Sequence, residues 1–391
     1  MRLIRHSGDL LIIFIFLLVQ GRITLMLLRS AARRFRGREL AVARAGIVAL
    51  GAVVLGCCTL SFSWVLSRLD IPPRVGSFLG AGALFYLLLA TAAVVLHILT
   101  GFVLQRWAPE ADADRRRMIK FAGKAAMIAP AAVLGYGTFI QRRDFGVREI
   151  DVPIPRLPPD LEGFRILQLS DIHRGLFLSD AELSAVIDAS LGVKPHLAVI
   201  TGDLISSRGD PLDSCISQLA RLKAEAGVFG CMGNHEQYAG AIHYAEAAAS
   251  RVGIRFLRQQ AQALRIGAAT LNLAGVDYQR KEDKPHYLRG AERLIQPGAV
   301  NILLSHNPDV FPVAAQQGYN LLLAGHTHGG QVTVEILDES INPARFFTPY
   351  VRGLYRLGGS AAYVTRGIGT IGLPTRIGAP PEISVLRLRK V

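Results

Sequence analysis

Four long apolar stretches in the first 143 residues restrict the folds open to this 391-residue chain more than any other feature. They cover residues 10–28, 45–66, 75–104 and 121–140. A helix needs about 20 mainly apolar residues to cross the hydrocarbon core of a bilayer. There, a helix pairs its backbone polar groups within the segment itself. The sequence therefore predicts a bundle of about four transmembrane helices over residues 1–143.

Positive charge is concentrated in the same part of the chain. Residues 1–143 contain 19 Lys and Arg against 6 Asp and Glu, whereas residues 144–391 contain 25 against 24. A nucleic-acid-binding domain carries its positive charge where it contacts phosphates. The near-neutral second part therefore argues against nucleic acid as a partner, and we infer two domains, 1–143 and 144–391.

The arginines between the apolar stretches predict an orientation. Six lie in residues 29–44, and residues 106–120 contain four more together with one lysine, whereas only two separate the second and third stretches. Cytoplasmic loops of membrane proteins are enriched in Lys and Arg, so both rich loops are expected in the cytoplasm. Residues 121–140 either cross the bilayer or lie along it. If they cross, the second domain is extracytoplasmic.

The second domain begins with short apolar runs that alternate with helical segments. Five runs have the length and boundaries of strands: 164–169, 197–200, 228–232, 301–304 and 320–323. Ser179 and Glu182 form a capping box that predicts a helix ending near Gly192. A further helix is predicted over residues 213–227.

Each of the five strand-like runs is followed at once by side chains that can bind metals. The residues are Asp171 and His173 after the first run, Asp203 after the second, Asn234 and His235 after the third, His306 after the fourth, and His326 and His328 after the fifth. Sheets of α/β proteins present their sites at the carboxyl ends of strands. One such motif alone is more often a turn, but five in this order predict a metal site.

The residue types suit two neighbouring divalent ions. Nitrogen and oxygen ligands bind such ions, which can clamp both oxygens of a phosphoryl transfer. Residues two apart on an extended segment share a face, so Asp171 and His173 are expected to point the same way, as are His326 and His328. The lone Asp203 can bridge both ions through its two carboxylate oxygens.

This series of motifs, D-x-H, G-D, G-N-H-[DE], H and G-H-x-H, resembles the calcineurin-like metallophosphoesterase superfamily over residues 150–391. The stretches 304–309 and 363–369 resemble a bacterial membrane-associated or exported branch of that superfamily. The resemblance implies two β-sheets sandwiched between helices. With the N-terminal helices, the expected fold is an α+β chain in which a transmembrane bundle precedes a four-layer α/β/β/α sandwich.

The resemblance also implies roles for individual residues. One ion would be held by Asp171, His173, Asp203 and His328, and the other by Asp203, Asn234, His306 and His326. A hydroxide bridging the two ions would attack phosphorus in line, and His235 would stabilise or protonate the leaving oxygen. Manganese, iron and zinc all fit nitrogen and oxygen ligation.

Three further positions bear on the site. Many relatives carry an acidic residue where this chain has Ser206, so His235 lacks that carboxylate partner unless Glu236 or another group takes its place. Arg174 and Arg366 lie beside the motifs and can hold a substrate phosphate, although surface arginines in these positions are equally expected.

The leading functional hypothesis is a membrane-anchored hydrolase for phosphodiester or pyrophosphate bonds, acting on lipid or cell-envelope substrates. It places the chain in the bacterial cytoplasmic membrane, among membrane lipids, with its catalytic domain outside the cytoplasm. No obligate protein partner is expected. A phosphoprotein phosphatase and a non-catalytic, metal-stabilised membrane sensor are the alternatives.

Overall fold

The computed structural model describes residues 7–60, 73–107, 113–336 and 339–391. It divides into two compact units, Met1–Tyr136 and Gly137–Val391. The sequence-based domain limits of 1–143 and 144–391 fall a short distance beyond this division.

The first unit is built from long helices. They are α1 (Ser7–Arg34), α2 (Gly37–Leu60), α3 (Pro73–Trp107) and α4 (Ala113–Phe139), the last of which ends in the second unit. All four are long and apolar enough to cross a membrane. The rings of Phe16 in α1 and Tyr86 in α3 lie 5.9 Å apart, while Leu11, Phe14 and Leu18 are exposed, as expected of side chains that face lipid. Positions 61–66 of the second predicted stretch lie outside the described residues.

Strands and short helices alternate through the second unit. The helices are α5 (Asp180–Leu191), α6 (Leu212–Leu219), α7 (Asn234–Ala239), α8 (Ile242–Arg251) and α9 (Phe311–Gln317). The strands are β1 (Gly146–Ile154), β2 (Arg165–Leu169), β3 (Leu197–Thr201), β4 (Val228–Cys231), β5 (Ile254–Phe256), β6 (Gln260–Ile266), β7 (Ala269–Gly275), β8 (Val300–Leu304), β9 (Leu321–Ala324), β10 (Val334–Ile336), β11 (Glu339–Ile341), β12 (Gly353–Leu357), β13 (Ser360–Val364) and β14 (Glu382–Lys390). The five predicted strands match β2, β3, β4, β8 and β9 to within one residue at each end.

These strands form two six-stranded sheets and one two-stranded ribbon. The first sheet has the order β1-β14-β2-β3-β4-β5, and β2 to β5 run parallel. The second has the order β12-β13-β9-β8-β7-β6, with β7, β8, β9 and β13 parallel. Strands β10 and β11 pair as the ribbon.

Both faces of the central strands are apolar, which explains the layers. In β3, Val199 packs between the two sheets, whereas Ile200 packs with the residues of α5 and α6. In β9, Leu321 joins the layer between the sheets, and Leu322 packs against α9. Successive side chains point to opposite faces of a strand, so sheets that are apolar on both faces must be covered on both. The second unit is therefore the predicted four-layer sandwich.

Of the two predicted helices, one is confirmed and one is too long. Helix α5 begins after Ser179, whose hydroxyl accepts the Glu182 backbone N–H at 3.2 Å within the predicted capping box. Helix α6 ends at Leu219, eight residues before the predicted end. The Ala226 N–H donates to the carbonyl of His196, which ties this segment to the beginning of β3. Tertiary pairing thus overrides the helix propensity of residues 220–227.

Candidate metal centre

All seven sequence-predicted ligands lie shortly after the carboxyl ends of strands, in loops or, for Asn234, at the first residue of helix α7. β2, β3 and β4 of the first sheet lead to Asp171, His173, Asp203 and Asn234, and β8 and β9 of the second sheet lead to His306, His326 and His328. Parallel strands that leave both sheets at the same edge bring these loops together. The structure therefore brings seven side chains close together, although the first and the last are more than 150 positions apart in the sequence.

The backbone at this cluster is unusual. Five of the seven residues have a positive φ, between 48° and 76°: Asp171, His173, Asp203, His326 and His328. The expectation that the Asp171–His173 pair lies on an extended segment is wrong, because β2 ends at Leu169. Non-glycine residues adopt left-handed backbone at a cost of about 1 to 3 kcal/mol each, and such strain clusters at functional sites.

Two glycines allow the loops to approach closely. Gly202 has a φ of 89°, and a Cβ there would lie 2.8 Å from Nδ1 of His306. A Cβ on Gly325 would collide with the side chains of Ser170 and Asp171. Glycine is thus required where these loops bring ligand side chains against backbone.

Asp171, His173 and His328 form the first group of ligand atoms. The Nε2 atoms of His173 and His328 lie 3.1 Å apart, and Nε2 of His328 lies 3.5 Å from Oδ1 of Asp171. Atoms bound at about 2.1 Å to one ion lie about 3.0 to 3.4 Å from one another. The spacing fits a shared cation.

Asp203, His306 and His326 form the second group. Oδ2 of Asp203 lies 3.0 Å from Nε2 of His306 and 3.5 Å from Nε2 of His173, so it stands between the groups. Oδ1 of Asn234 is buried and has no hydrogen-bond partner within the described part of the chain. A buried acceptor without a donor costs about 1 to 3 kcal/mol, and a cation would satisfy it.

The buried charges of the cluster shift one another's pKa values: burial opposes the charged form of His306, but the carboxylate of Asp203 outweighs it and raises the pKa of His306 to about 10. Burial raises the pKa of Asp171. Burial opposes ionisation of Asp203 too, but the charge of His306 holds the pKa of Asp203 below its usual range. Burial lowers the pKa of His173 to about 3 and that of His326 to about 4, so both stay neutral, which is the form that binds metals.

His235 lies beside the cluster, with its ring centroid 4.7 Å from that of His173. Its Nδ1 is 2.5 Å from the backbone carbonyl oxygen of Ser206, the position where relatives carry an acid. Glu236 does not orient His235. Its buried carboxylate instead accepts backbone N–H groups, at 3.0 Å from Asp203, 2.7 Å from Leu204 and 2.8 Å from Gly233. Glu236 therefore fixes the two loops that carry Asp203 and Asn234.

Both candidate phosphate-binding arginines have protein partners. Nε of Arg174 donates to Asp180 at 2.9 Å, and its Nη1 donates to the carbonyls of Gly175 and Leu178. Nε of Arg366 lies 3.5 Å from Glu382. Their roles in substrate binding remain predictions.

Two neighbours of the centre escaped the sequence reasoning. Tyr278 follows β7, and its hydroxyl lies 3.4 Å from Nε2 of His326. The apolar run over 269–276 is a sixth run of strand length, and it could have revealed Tyr278.

Arg376 is fully buried and donates to the carbonyls of His328, Gly367 and Ala379 at 3.0 to 3.3 Å. No motif surrounds it in the sequence.

Comparison with known proteins identifies the family of this chain. A family model for calcineurin-like phosphoesterases matches residues 164–330. The uncharacterized metallophosphoesterase YkuE of Bacillus subtilis is 30% identical over 284 residues, which cover 71% of this chain and 98% of YkuE. The chain belongs to the calcineurin-like metallophosphoesterases.

Two other relatives of this chain are a bacterial phosphodiesterase and a vertebrate transmembrane protein. The phosphodiesterase YaeI of Escherichia coli is 30% identical over 280 residues, covering 70% of this chain and 99% of YaeI. A zebrafish transmembrane protein with a metallophosphoesterase domain is 31% identical over 277 residues, covering 68% of this chain and 62% of that protein. The matched part is thus less than two thirds of the zebrafish protein. The chain is a membrane-associated, metal-dependent hydrolase of phosphoric esters.

Proposed function

We propose that this chain is a membrane-anchored, two-metal enzyme that hydrolyses phosphodiester or pyrophosphate bonds of lipid or cell-envelope substrates. One observation carries the proposal. The Asp203 carboxylate oxygen lies within 3.5 Å of His173 in one ligand group and of His306 in the other. A carboxylate between two groups of imidazole ligands is the donor arrangement that two adjacent divalent ions need.

The proposed ligand sets follow these groups. Asp171, His173, Asp203 and His328 would hold one ion, and Asp203, Asn234, His306 and His326 the other. When bound, manganese, iron or zinc ions acidify a water molecule and neutralise charge that develops on the phosphoryl oxygens.

His235 is proposed to move the proton that hydrolysis requires. The oxygen of water forms a bond to phosphorus and releases one proton, the bond between phosphorus and the leaving oxygen breaks, and the leaving oxygen takes up one proton. With Nδ1 held at the Ser206 carbonyl, Nε2 is the ring nitrogen left to give a proton to the leaving oxygen. The Ser206 carbonyl fixes the orientation of the His235 ring, the role that a carboxylate partner would otherwise have.

The membrane location supports the choice of substrates. Four apolar helices can hold the chain at a bilayer, where lipid and envelope phosphates are concentrated. The arginine-rich loops favour the cytoplasmic membrane with the catalytic unit on its outer side. The diesterase activity in the name of the YaeI relative is consistent with a diester substrate.

The purified full-length chain, loaded with Mn²⁺, should hydrolyse bis-p-nitrophenyl phosphate faster than p-nitrophenyl phosphate. Asp203→Asn should lower kcat/KM more than about 100-fold and reduce bound manganese, since even residues that only support ligands affect metal affinity by about 10- to 100-fold. Asp188→Asn, which breaks only an exposed ion pair with Arg221, is the matched control. No turnover by folded, manganese-loaded protein would refute the proposal, and a preference for phosphopeptides would favour a phosphoprotein phosphatase.

A further inference from the structure

A cavity of about 380 Å³ opens beside the metal centre. His326 and His328 of the metal centre line this cavity together with Tyr278, Phe347 and Ile371. Its size lies within the range of small-molecule sites, roughly 300 to 1,000 Å³. Because two of the candidate metal ligands line it, the cavity is placed to take the group attached to an ester phosphate at the metal centre.

Four polar side chains that line this cavity, those of Gln331, Asn307, Thr327 and Thr348, are already bonded to the protein. The amide nitrogen of Gln331 donates to the carbonyls of Ile371 and Leu373 at 3.0 and 2.9 Å, and its oxygen accepts the Ile371 N–H at 3.0 Å. A side-chain amide with its groups so engaged offers little to a polar ligand.

The side chains of Asn307, Thr327 and Thr348, which also line the cavity, are likewise bonded to the protein. The Asn307 amide donates to the carbonyl of Gln279 at 2.7 Å and accepts the Asp309 N–H at 2.9 Å. The Thr327 and Thr348 hydroxyls donate to Val351 and Asp309, each at 2.5 Å. These four side chains therefore offer few open donors or acceptors to a sugar or nucleotide.

The apolar side chains of the cavity, in contrast, are open. Phe347 is 71% exposed and Ile371 is 37% exposed, although both line the cavity. Large apolar side chains that remain accessible inside a concave site gain from covering by an apolar ligand. The Nζ of Lys281 lies 5.9 Å from the Phe347 ring centroid and adds a positive charge at this wall, which suits an anionic ester.

We propose that this cavity binds the hydrocarbon part of an amphiphilic phosphate ester while the ester group lies at the metal centre, and that Phe347 and Ile371 select for that hydrocarbon. The inference rests on the proposed phosphoesterase function and narrows its substrate class. It assigns specificity to two residues outside the metal-binding motifs.

A series of alkyl p-nitrophenyl phosphodiesters tests the proposal, because only the alkyl group changes from methyl to butyl to hexyl. The full-length chain in nanodiscs with Mn²⁺ should show kcat/KM rising by up to about fourfold for each buried methylene. Partition of the longer esters into the nanodisc is the same for every variant, so the comparison between variants isolates the cavity.

Phe347→Ala should lower the hexyl-to-methyl ratio of kcat/KM by roughly tenfold, and Ile371→Ser should lower it in the same direction. Leu357→Ala is the control, since Leu357 is 46% exposed but lies outside the cavity lining. Calorimetric titration with hexyl methylphosphonate gives a reading independent of turnover. Its affinity for the wild-type chain should exceed that of methyl methylphosphonate and should fall in Phe347→Ala.

Two results would overturn the proposal in different ways. Equal kcat/KM across the series, with the methyl ester still hydrolysed, would remove the hydrocarbon site but leave the phosphoesterase. No hydrolysis of any ester by metal-loaded protein would remove both. A hexadecyl ester dissolved in the nanodisc bilayer distinguishes the source of the ligand: its turnover indicates a membrane lipid, and turnover of the hexyl ester alone indicates a soluble amphiphile.

Discussion

At the scale of single residues, the centre depends on side chains whose partners lie in other loops. Glu236 is the clearest case, because its buried carboxylate gathers N–H groups from the loops after β3 and β4. Nδ1 of the neighbouring His235 lies at the backbone carbonyl of Ser206. Glu236 thus holds the two loops together, and the adjacent His235 is the residue that we propose moves a proton.

His235→Gln should separate proton transfer from metal binding. A positioned general acid contributes about 10² to 10⁴ in rate, and most where the leaving oxygen is strongly basic. We expect kcat for a diphenyl phosphate diester to fall at least about 100-fold, with a smaller fall for bis-p-nitrophenyl phosphate. Metal content by mass spectrometry should stay unchanged. Loss of metal would instead make His235 a ligand.

Arg376→Met should unfold the catalytic unit at a lower temperature. Burial lowers the pKa of Arg376 to about 10, so its guanidinium remains charged at neutral pH while it holds the carbonyls of His328 and Gly367. Loss of these charged hydrogen bonds should cost at least about 3 kcal/mol, or roughly 6 °C in Tm. Differential scanning calorimetry measures this, with the exposed Arg255→Met as control. Equal Tm values for both variants would contradict the prediction.

At the scale of elements, the end of helix α4 is packed into the catalytic unit. A Cβ on Gly137 would lie 2.7 Å from the carbonyl oxygen of Arg376 and would collide with the hydroxyl of Thr375. The Gly137 carbonyl accepts the Arg376 N–H at 3.1 Å. The helix end therefore touches the residue whose guanidinium supports the His328 loop.

Gly137→Ala should thus disturb the centre although it lies far from the ligands in sequence. We expect a lower Tm and several-fold weaker manganese binding, since the Thr375–Arg376 segment has to move to make room. Gly135→Ala is a matched control in the same helix, because a Cβ there meets nothing within 4 Å. Indistinguishable manganese titrations of the two variants would count against this coupling.

Some elements of the fold could be predicted from the sequence, and others depend on contacts between distant residues. The apolar runs that form β3 and β9 are apolar on both faces and are followed by the polar residues Asp203 and His326. Their place in the fold could therefore be predicted. The positive φ of His326 and His328 could not, because it depends on bonds such as that from the His326 N–H to Asp171, 155 positions away. Strand β14 likewise returns from the end of the chain to pair with β1 and β2, which no local pattern reveals.

At the scale of the whole molecule, the side of the membrane decides which phosphates the enzyme meets. Alkaline phosphatase fused after Val391 should be active, and green fluorescent protein at the same place should be dark, if all four apolar helices cross. Changing the arginines at 33, 34, 36 and 38 to glutamine should weaken this preference. Fluorescence without phosphatase activity would place the centre in the cytoplasm and reverse the proposed orientation.

The contact between Gly137 and Arg376 has a practical consequence for where this enzyme can be cut. The segment 137–143 continues the last apolar helix in sequence, yet Gln141 accepts the Gly378 N–H at 2.8 Å and Arg143 pairs with Glu182 at 2.8 Å. A water-soluble version that starts at Asp144 would leave the loop of Arg376 without its neighbour. A shortened version of the enzyme that keeps these contacts therefore has to include the last turn of the final apolar helix.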